Sequence, residues 1–113
     1  MKITAFAGSN SSSSINKELV KFVLTYFSEH EINLLDLNDF EMPIYSIDRE
    51  KKGFPQEANK FLSEIEKGDI IICSLAEHNR TYSAAFKNIF DWSSRINAKV
   101  FQGKKMFLMS TSP

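Results

Sequence analysis

Four short apolar runs alternate with three amphipathic stretches along this chain. Ile3 to Ala7, Ile32 to Leu37, Ile70 to Cys73 and Met106 to Met109 are brief and mostly continuous, as expected of strands buried on both faces. From Ser14 or Asn16 to about Glu29, apolar residues recur at Ile15, Leu19, Phe22, Val23, Tyr26 and Phe27, with Lys17, Glu18, Lys21 and Glu29 on the other side. That spacing predicts a helix. Pro55 opens a second helix, with Ala58, Phe61, Leu62 and Ile65 on one face and Gly68 as its stop. A third, from about Ser83 to Ile96, carries Ala85, Phe86, Ile89, Trp92 and Ile96 as its stripe. Gly103 then breaks the chain before the last run, which ends in Ser110 to Pro113.

The order βαβαβαβ predicts a parallel sheet with helices on its faces and right-handed crossovers. Ligands in such sheets bind beyond the carboxyl ends of the strands. The polar turns beginning near Gly8, Ala76 and Ser110 should converge at that edge. Between Asn38 and Phe54 the pattern is irregular, with Pro43 and Gly53 as breakers, and loops of this length are often functional or docked on a partner.

The first turn is the most informative. A strand feeds Gly8 and a polar run (Ser9, Asn10, Ser11, Ser12, Ser13, Ser14), and a helix starts immediately afterwards. The free amides of a first helical turn, with the helix dipole behind them, make an anion site. The loop has neither the lysine and second glycine of a nucleoside-triphosphate loop nor the G-x-G-x-x-G of a dinucleotide fold. A small phosphate monoester held by neutral donors suits it; the alternative is that the serines only cap a helix.

Acidic and basic residues number 14 each, so no net field draws the chain to nucleic acid or to a membrane surface. No apolar run is long enough to span a bilayer and no signal-peptide pattern opens the chain, so a soluble cytoplasmic protein is the expectation. Residues 1–113 read as one domain. Cys73 is the only cysteine, which excludes a disulfide framework and a cysteine-rich metal site; within its isoleucine-rich strand it reads as an inert core thiol. Ten phenylalanines imply a well-filled core.

Several of these residues together resemble the NAD(P)H-dependent FMN reductases and their quinone and azo reductase relatives. Gly8-Ser9-x-x-x-x-Ser14-x-Asn16 is similar to that family's G-S-x-R-x-x-S-x-N phosphate loop. Glu77-His78-Asn79, then Ser83-Ala84-Ala85-Phe86-Lys87-Asn88 and Asp91-Trp92, resemble its P-E-Y-N, P-G-x-L-K-N and D-W. Asp36 to Pro43 resembles the D-L…L-P segment after the second strand. Departures accompany the match: Ser11 stands where the family has arginine, Ala76 replaces proline, His78 replaces tyrosine, and Ser83-Ala84 replace Pro-Gly. Family members also run on past S-T-S-P through a further strand and helices.

The resemblance implies an α/β flavodoxin-like three-layer sandwich, strand order 2-1-3-4, truncated before the usual fifth strand and last helices. It implies FMN as cofactor, NADPH or NADH as reductant, and reduction of FMN or of a quinone- or azo-type small-molecule acceptor. Ser9, Ser11, Ser14, Ile15 and Asn16 would hold the phosphate. Glu77, His78, Asn79 and Arg80 would line the ring, with Ser110 and Thr111 at the third loop. No residue is expected to act as a covalent or acid–base catalyst, because the cofactors carry the chemistry. Trp92 and Asp91 read as structural, and Lys87 and Asn88 as braces for the turn. A different class stays open: a non-catalytic flavin-binding or interaction module. With no cover for the last strand, a homo-oligomer is expected, through its edge or its bare faces.

Overall fold

The computed structural model describes residues 1–78 and 81–111. Its main sheet contains β1 (Lys2–Gly8), β2 (Glu31–Leu35), β3 (Ile70–Leu75) and β6 (Lys105–Met109), all parallel, in the order β2-β1-β3-β6. Counting the strands of this sheet alone, that is the expected 2-1-3-4. A small antiparallel pair, β4 (Glu77–His78) with β5 (Thr81–Tyr82), occupies the stretch expected to be a plain polar turn.

Helix α1 (Ile15–Leu24) lies on one face of the sheet. Helices α3 (Gln56–Lys67) and α4 (Ala84–Ile96) cover the other, and a short α2 (Ile47–Lys51) sits in the irregular segment. Strand periodicity sorts the core into two halves. Ile3, Ala5, Ala7 and Ile72 meet Val20 and Leu24 of α1, the two alanines leaving room for the helix. Phe6, Ile71 and Cys73 point the other way into an aromatic cluster. There Phe61 meets Phe6 and Phe40 edge-on at 5.7 and 5.4 Å, and Phe86 stacks on Phe6 at 6.0 Å.

Three expectations need correction. The first helix stops at Leu24 and tightens into a 3₁₀ turn, Thr25–Phe27, instead of reaching Glu29. Its buried line is Asn16, Val20 and Leu24, whereas Ile15, Phe22 and Tyr26 are exposed. The second strand ends at Leu35 because the Asp36 carboxylate accepts from the Asn38 amide and starts a 3₁₀ turn, Leu37–Phe40. The phenylalanines do not all fill the core: Phe22, Phe54 and Phe107 lie in solvent.

The segment between Met42 and Glu50 is docked on α4 by named bonds. The Asn88 side chain donates to the Met42 and Pro43 carbonyls at 3.1 Å and accepts from the Tyr45 amide at 2.8 Å. Trp92 Nε1 donates to the Pro43 carbonyl at 2.7 Å. Arg95 donates to Glu50 at 2.6 Å and the Tyr45 hydroxyl donates to the same carboxylate at 3.0 Å. The K-N-x-x-D-W signature is thus a brace: Asn88 and Trp92 hold this segment, and Lys87 pairs with Asp91 at 2.6 Å one turn along the helix.

Candidate functional site

The loops after β1, β3 and β6 meet at the carboxyl edge of the sheet, as the alternation predicted. Close approach begins it. A Cβ on Gly8 would stand 2.5 Å from Leu75 Cδ2 and 3.2 Å from Leu75 Cα, so any larger residue here makes the Leu75 side chain move and its backbone give by a few tenths of an ångström. Ser83 then ties α4 to this point: its hydroxyl donates to the Gly8 carbonyl at 2.6 Å and accepts from the Phe86 amide at 3.2 Å as the N-cap. Ser110 donates to the Leu75 carbonyl at 3.0 Å, closing the end of β6 onto the end of β3.

Asn16 is the centre of the arrangement. Its Oδ1 accepts from the Ser74 hydroxyl at 2.6 Å and from the Thr111 amide at 3.1 Å, and its Nδ2 donates to the Thr111 carbonyl at 3.3 Å. The side chain is buried and its three bonds go to Ser74 and Thr111. Ser14 caps α1, its hydroxyl accepting from the Lys17 amide at 3.2 Å.

The serines ahead of the helix fold on themselves. Ser9 Oγ accepts from the Ser11 amide at 3.1 Å, and Ser11 Oγ accepts from the Ser13 amide at 3.3 Å. The amides of Asn10, Ser12, Ser14, Ile15 and Asn16 have no hydrogen-bond partner among the described residues. Four of the five sit at or just before the first turn of α1, where the helix dipole favours an anion. The Ile15 side chain is exposed. Asn38 from the loop after β2 donates to the Asn10 carbonyl at 3.1 Å and steadies the rim.

The residues expected to border the ring are less fully placed. Glu77 and His78 form β4, which puts their backbone beside the same edge. Asn79 and Arg80 lie outside the described residues. Thr111 is held by Asn16 through both backbone groups and Ser110 by Leu75, so these two close the third loop. Ser74 and Ser83 were missed as site organisers. Ser83 carried a legible signal, a serine immediately before an apolar helical stripe; Ser74 carried none. Burial pushes the Cys73 thiol up to about 12, in keeping with an inert core group. Among the described residues no cluster of histidine, cysteine, aspartate or glutamate could hold a metal ion. No described helix is long and apolar enough to cross a membrane.

A family model described as NADPH-dependent FMN reductase matches residues 1–113. The chain belongs to the NADPH-dependent FMN reductase family. An uncharacterized protein of Mycoplasma pneumoniae, an MG342 homolog, is 31% identical over 101 residues, covering 88% of this chain and 56% of its own length. A quinone reductase of Pseudomonas putida is 26% identical over 112 residues, 98% of this chain and 60% of that protein. The solved structure of the flavoenzyme NAD(P)H:(acceptor) oxidoreductase FerB from Paracoccus denitrificans superposes with a TM-score of 0.77 at 27% identity, over 99% of this chain and 61% of that one. A Bacillus anthracis azoreductase, 19% identical with a TM-score of 0.72 over 96% of this chain and 67% of its own, shares the fold. The fold is therefore flavodoxin-like, and the chain spans somewhat more than half the length of these curated relatives.

Proposed function

We propose that residues 1–113 form one flavodoxin-like unit that binds FMN by its phosphate and serves NADPH- or NADH-dependent reduction of FMN, or of a quinone- or azo-type acceptor through it. The observation that carries this reading is the set of unpartnered amides of Asn10, Ser12, Ser14, Ile15 and Asn16, at or ahead of the start of α1 and locked to the ends of β3 and β6 through Asn16 and Ser74. Such donors fit a phosphate monoester. The Ser9, Ser11 and Ser14 hydroxyls shape the cradle and can turn lone pairs or protons toward it. Backbone of Glu77 and His78, together with Asn79 and Arg80, would border the ring, and Ser110 and Thr111 would close the third side.

When bound, FMN supplies the hydride chemistry between nicotinamide and acceptor; the chain supplies binding and orientation. No side chain is assigned a proton-transfer role. A second reading is supported by the neutral character of the loop. With Ser11 in place of arginine it has no cation at the phosphate, and an ionic hydrogen bond of that kind contributes about 1.5–3 kcal/mol. A weakly binding, non-catalytic flavin module is then the competing function, and the cytoplasm remains the compartment either reading suits.

Quenching of FMN fluorescence on titration with the chain, alongside its Ser11→Arg variant, tests the site. Saturable binding that tightens roughly tenfold in Ser11→Arg, about 1.4 kcal/mol, supports it, and NADPH oxidation by the loaded chain then separates enzyme from module. No binding by either form would remove the flavin reading.

A further inference from the structure

Amides along the phosphate loop alternate between bonded and open. The Ser11 amide donates to Ser9 Oγ at 3.1 Å, and the Ser13 amide donates to Ser11 Oγ at 3.3 Å. Around them, the amides of Asn10, Ser12 and Ser14 have no partner among the described residues. Which set stays open depends on how each peptide plane is turned, since the C=O and N–H of one trans peptide point in opposite directions. The plane joining Asn10 to Ser11 is held at both ends. Its N–H meets Ser9 Oγ, and its carbonyl accepts from Asn38 Nδ2 at 3.1 Å.

Asn38 has little freedom of its own. Asp36 Oδ1 accepts from the Asn38 backbone amide at 3.0 Å and from Asn38 Nδ2 at 3.1 Å. Both neighbours of Nδ2 are therefore acceptors, a carboxylate and a carbonyl. A side-chain amide turned the other way would set its oxygen against both, so the network permits only the observed orientation. Buried Leu37 and Phe40 anchor the turn that carries Asn38. The Asn88 side chain fixes the chain beyond it, at Met42.

We propose that Asn38 is a positioning residue for the phosphate loop. By holding the Asn10 carbonyl it keeps the Asn10–Ser11 plane in the orientation that bonds the Ser11 amide internally and leaves those of Asn10, Ser12 and Ser14 open to a phosphate. Turned over, the plane would put a carbonyl oxygen where its amide now meets Ser9, and the alternation would be lost from its first step. Residues 9–16 carry no cation, so neutral donors alone meet the anion there, and a carbonyl oxygen among them would repel what they attract. This inference rests on the reading of the loop as the FMN phosphate site. Asn38 is itself exposed, so its loss should leave the fold intact.

Comparing FMN with riboflavin, which differs from it only by the phosphate, isolates the effect. Fluorescence titration of the parent chain should give tighter binding for FMN than for riboflavin. Asn38→Ala should weaken FMN roughly fivefold and leave riboflavin unchanged, with a ligand-free circular dichroism spectrum like the parent's. A general loosening of the structure would weaken both flavins alike. Asn38→Ser, polar but too short to reach the Asn10 carbonyl, is the second variant and should show the same selective loss. Without ligand, the Ser11 amide should exchange with water faster in either variant than in the parent, as followed by NMR. A parent chain that binds FMN no tighter than riboflavin would remove the phosphate reading and this inference with it. A parent that prefers FMN, with variants that keep the full preference, weaken both flavins equally or leave Ser11 exchange unchanged, would overturn the role of Asn38 alone.

Discussion

Replacing Asn16 with alanine is the sharpest probe of how the site is held together. Asn16 is 3% exposed and makes three hydrogen bonds, two to the backbone of Thr111 and one from the Ser74 hydroxyl. Hydrogen bonds of this kind contribute about 0.5–1.5 kcal/mol each. The variant also leaves the Ser74 hydroxyl fully buried without its acceptor, a loss of about 1–3 kcal/mol when no water replaces it. Thr111 is only half-buried, so water recovers part of its share. The expected destabilisation is about 3 kcal/mol, or about 10 °C in melting temperature for a chain of this size. Ser74→Ala alone should cost about 1 kcal/mol, because Asn16 keeps its bonds to Thr111. The double variant should cost less than the two singles together, by about 1 kcal/mol, since both remove the same bond. Urea unfolding followed by circular dichroism, with no flavin present, measures all three. If Asn16→Ala loses less than about 0.5 kcal/mol, or if the effects simply add, the side chain is not the clamp described and its amide is free to serve a ligand instead.

Asn88→Ala should release the 42–45 segment by removing its bonds to Met42, Pro43 and Tyr45. We expect a loss of about 2–3 kcal/mol and faster tryptic cleavage at Arg49 and Lys51 than in the parent chain. Gly8→Ala should cost about 1–3 kcal/mol in thermal melts, because its Cβ would stand 2.5 Å from Leu75 Cδ2 and 3.2 Å from Leu75 Cα, so the side chain must turn away and the backbone must shift. Hydrogen bonding from Arg95 holds the Glu50 carboxyl below its ordinary range. A depressed carboxylate contributes its stability at neutral pH and loses it as pH falls below the ordinary carboxylate range and through the depressed pKa. Trp92 fluorescence, near Tyr45 at 5.1 Å, should report that acid transition, and Glu50→Gln should flatten it.

Much of this architecture is written in local pattern. Four apolar runs and three amphipathic stretches sufficed for the parallel sheet and the edge where three loops meet, because burial on both faces demands continuous apolar strands; the strand order came from the family resemblance. Trp92 was legible as structural for the same reason, an aromatic on a helical stripe. The phosphate loop could be located from a strand, a polar turn and a capped helix in succession.

Which face each residue shows was decided elsewhere. Helix α1 carries Ile15, Leu19, Val20, Phe22, Val23 and Leu24, enough for two apolar sides, and periodicity cannot choose between them. Asn16 chose, because its buried amide finds Ser74, 58 residues away, and an unsatisfied amide in that position would cost more than an exposed Phe22. The same contact makes the side chain a clamp between α1, β3 and the end of β6. Spacing along the chain carries burial, since the hydrophobic effect is non-directional and reads only apolar area. A buried polar group needs a particular partner at a particular angle, and that partner is set by tertiary structure alone.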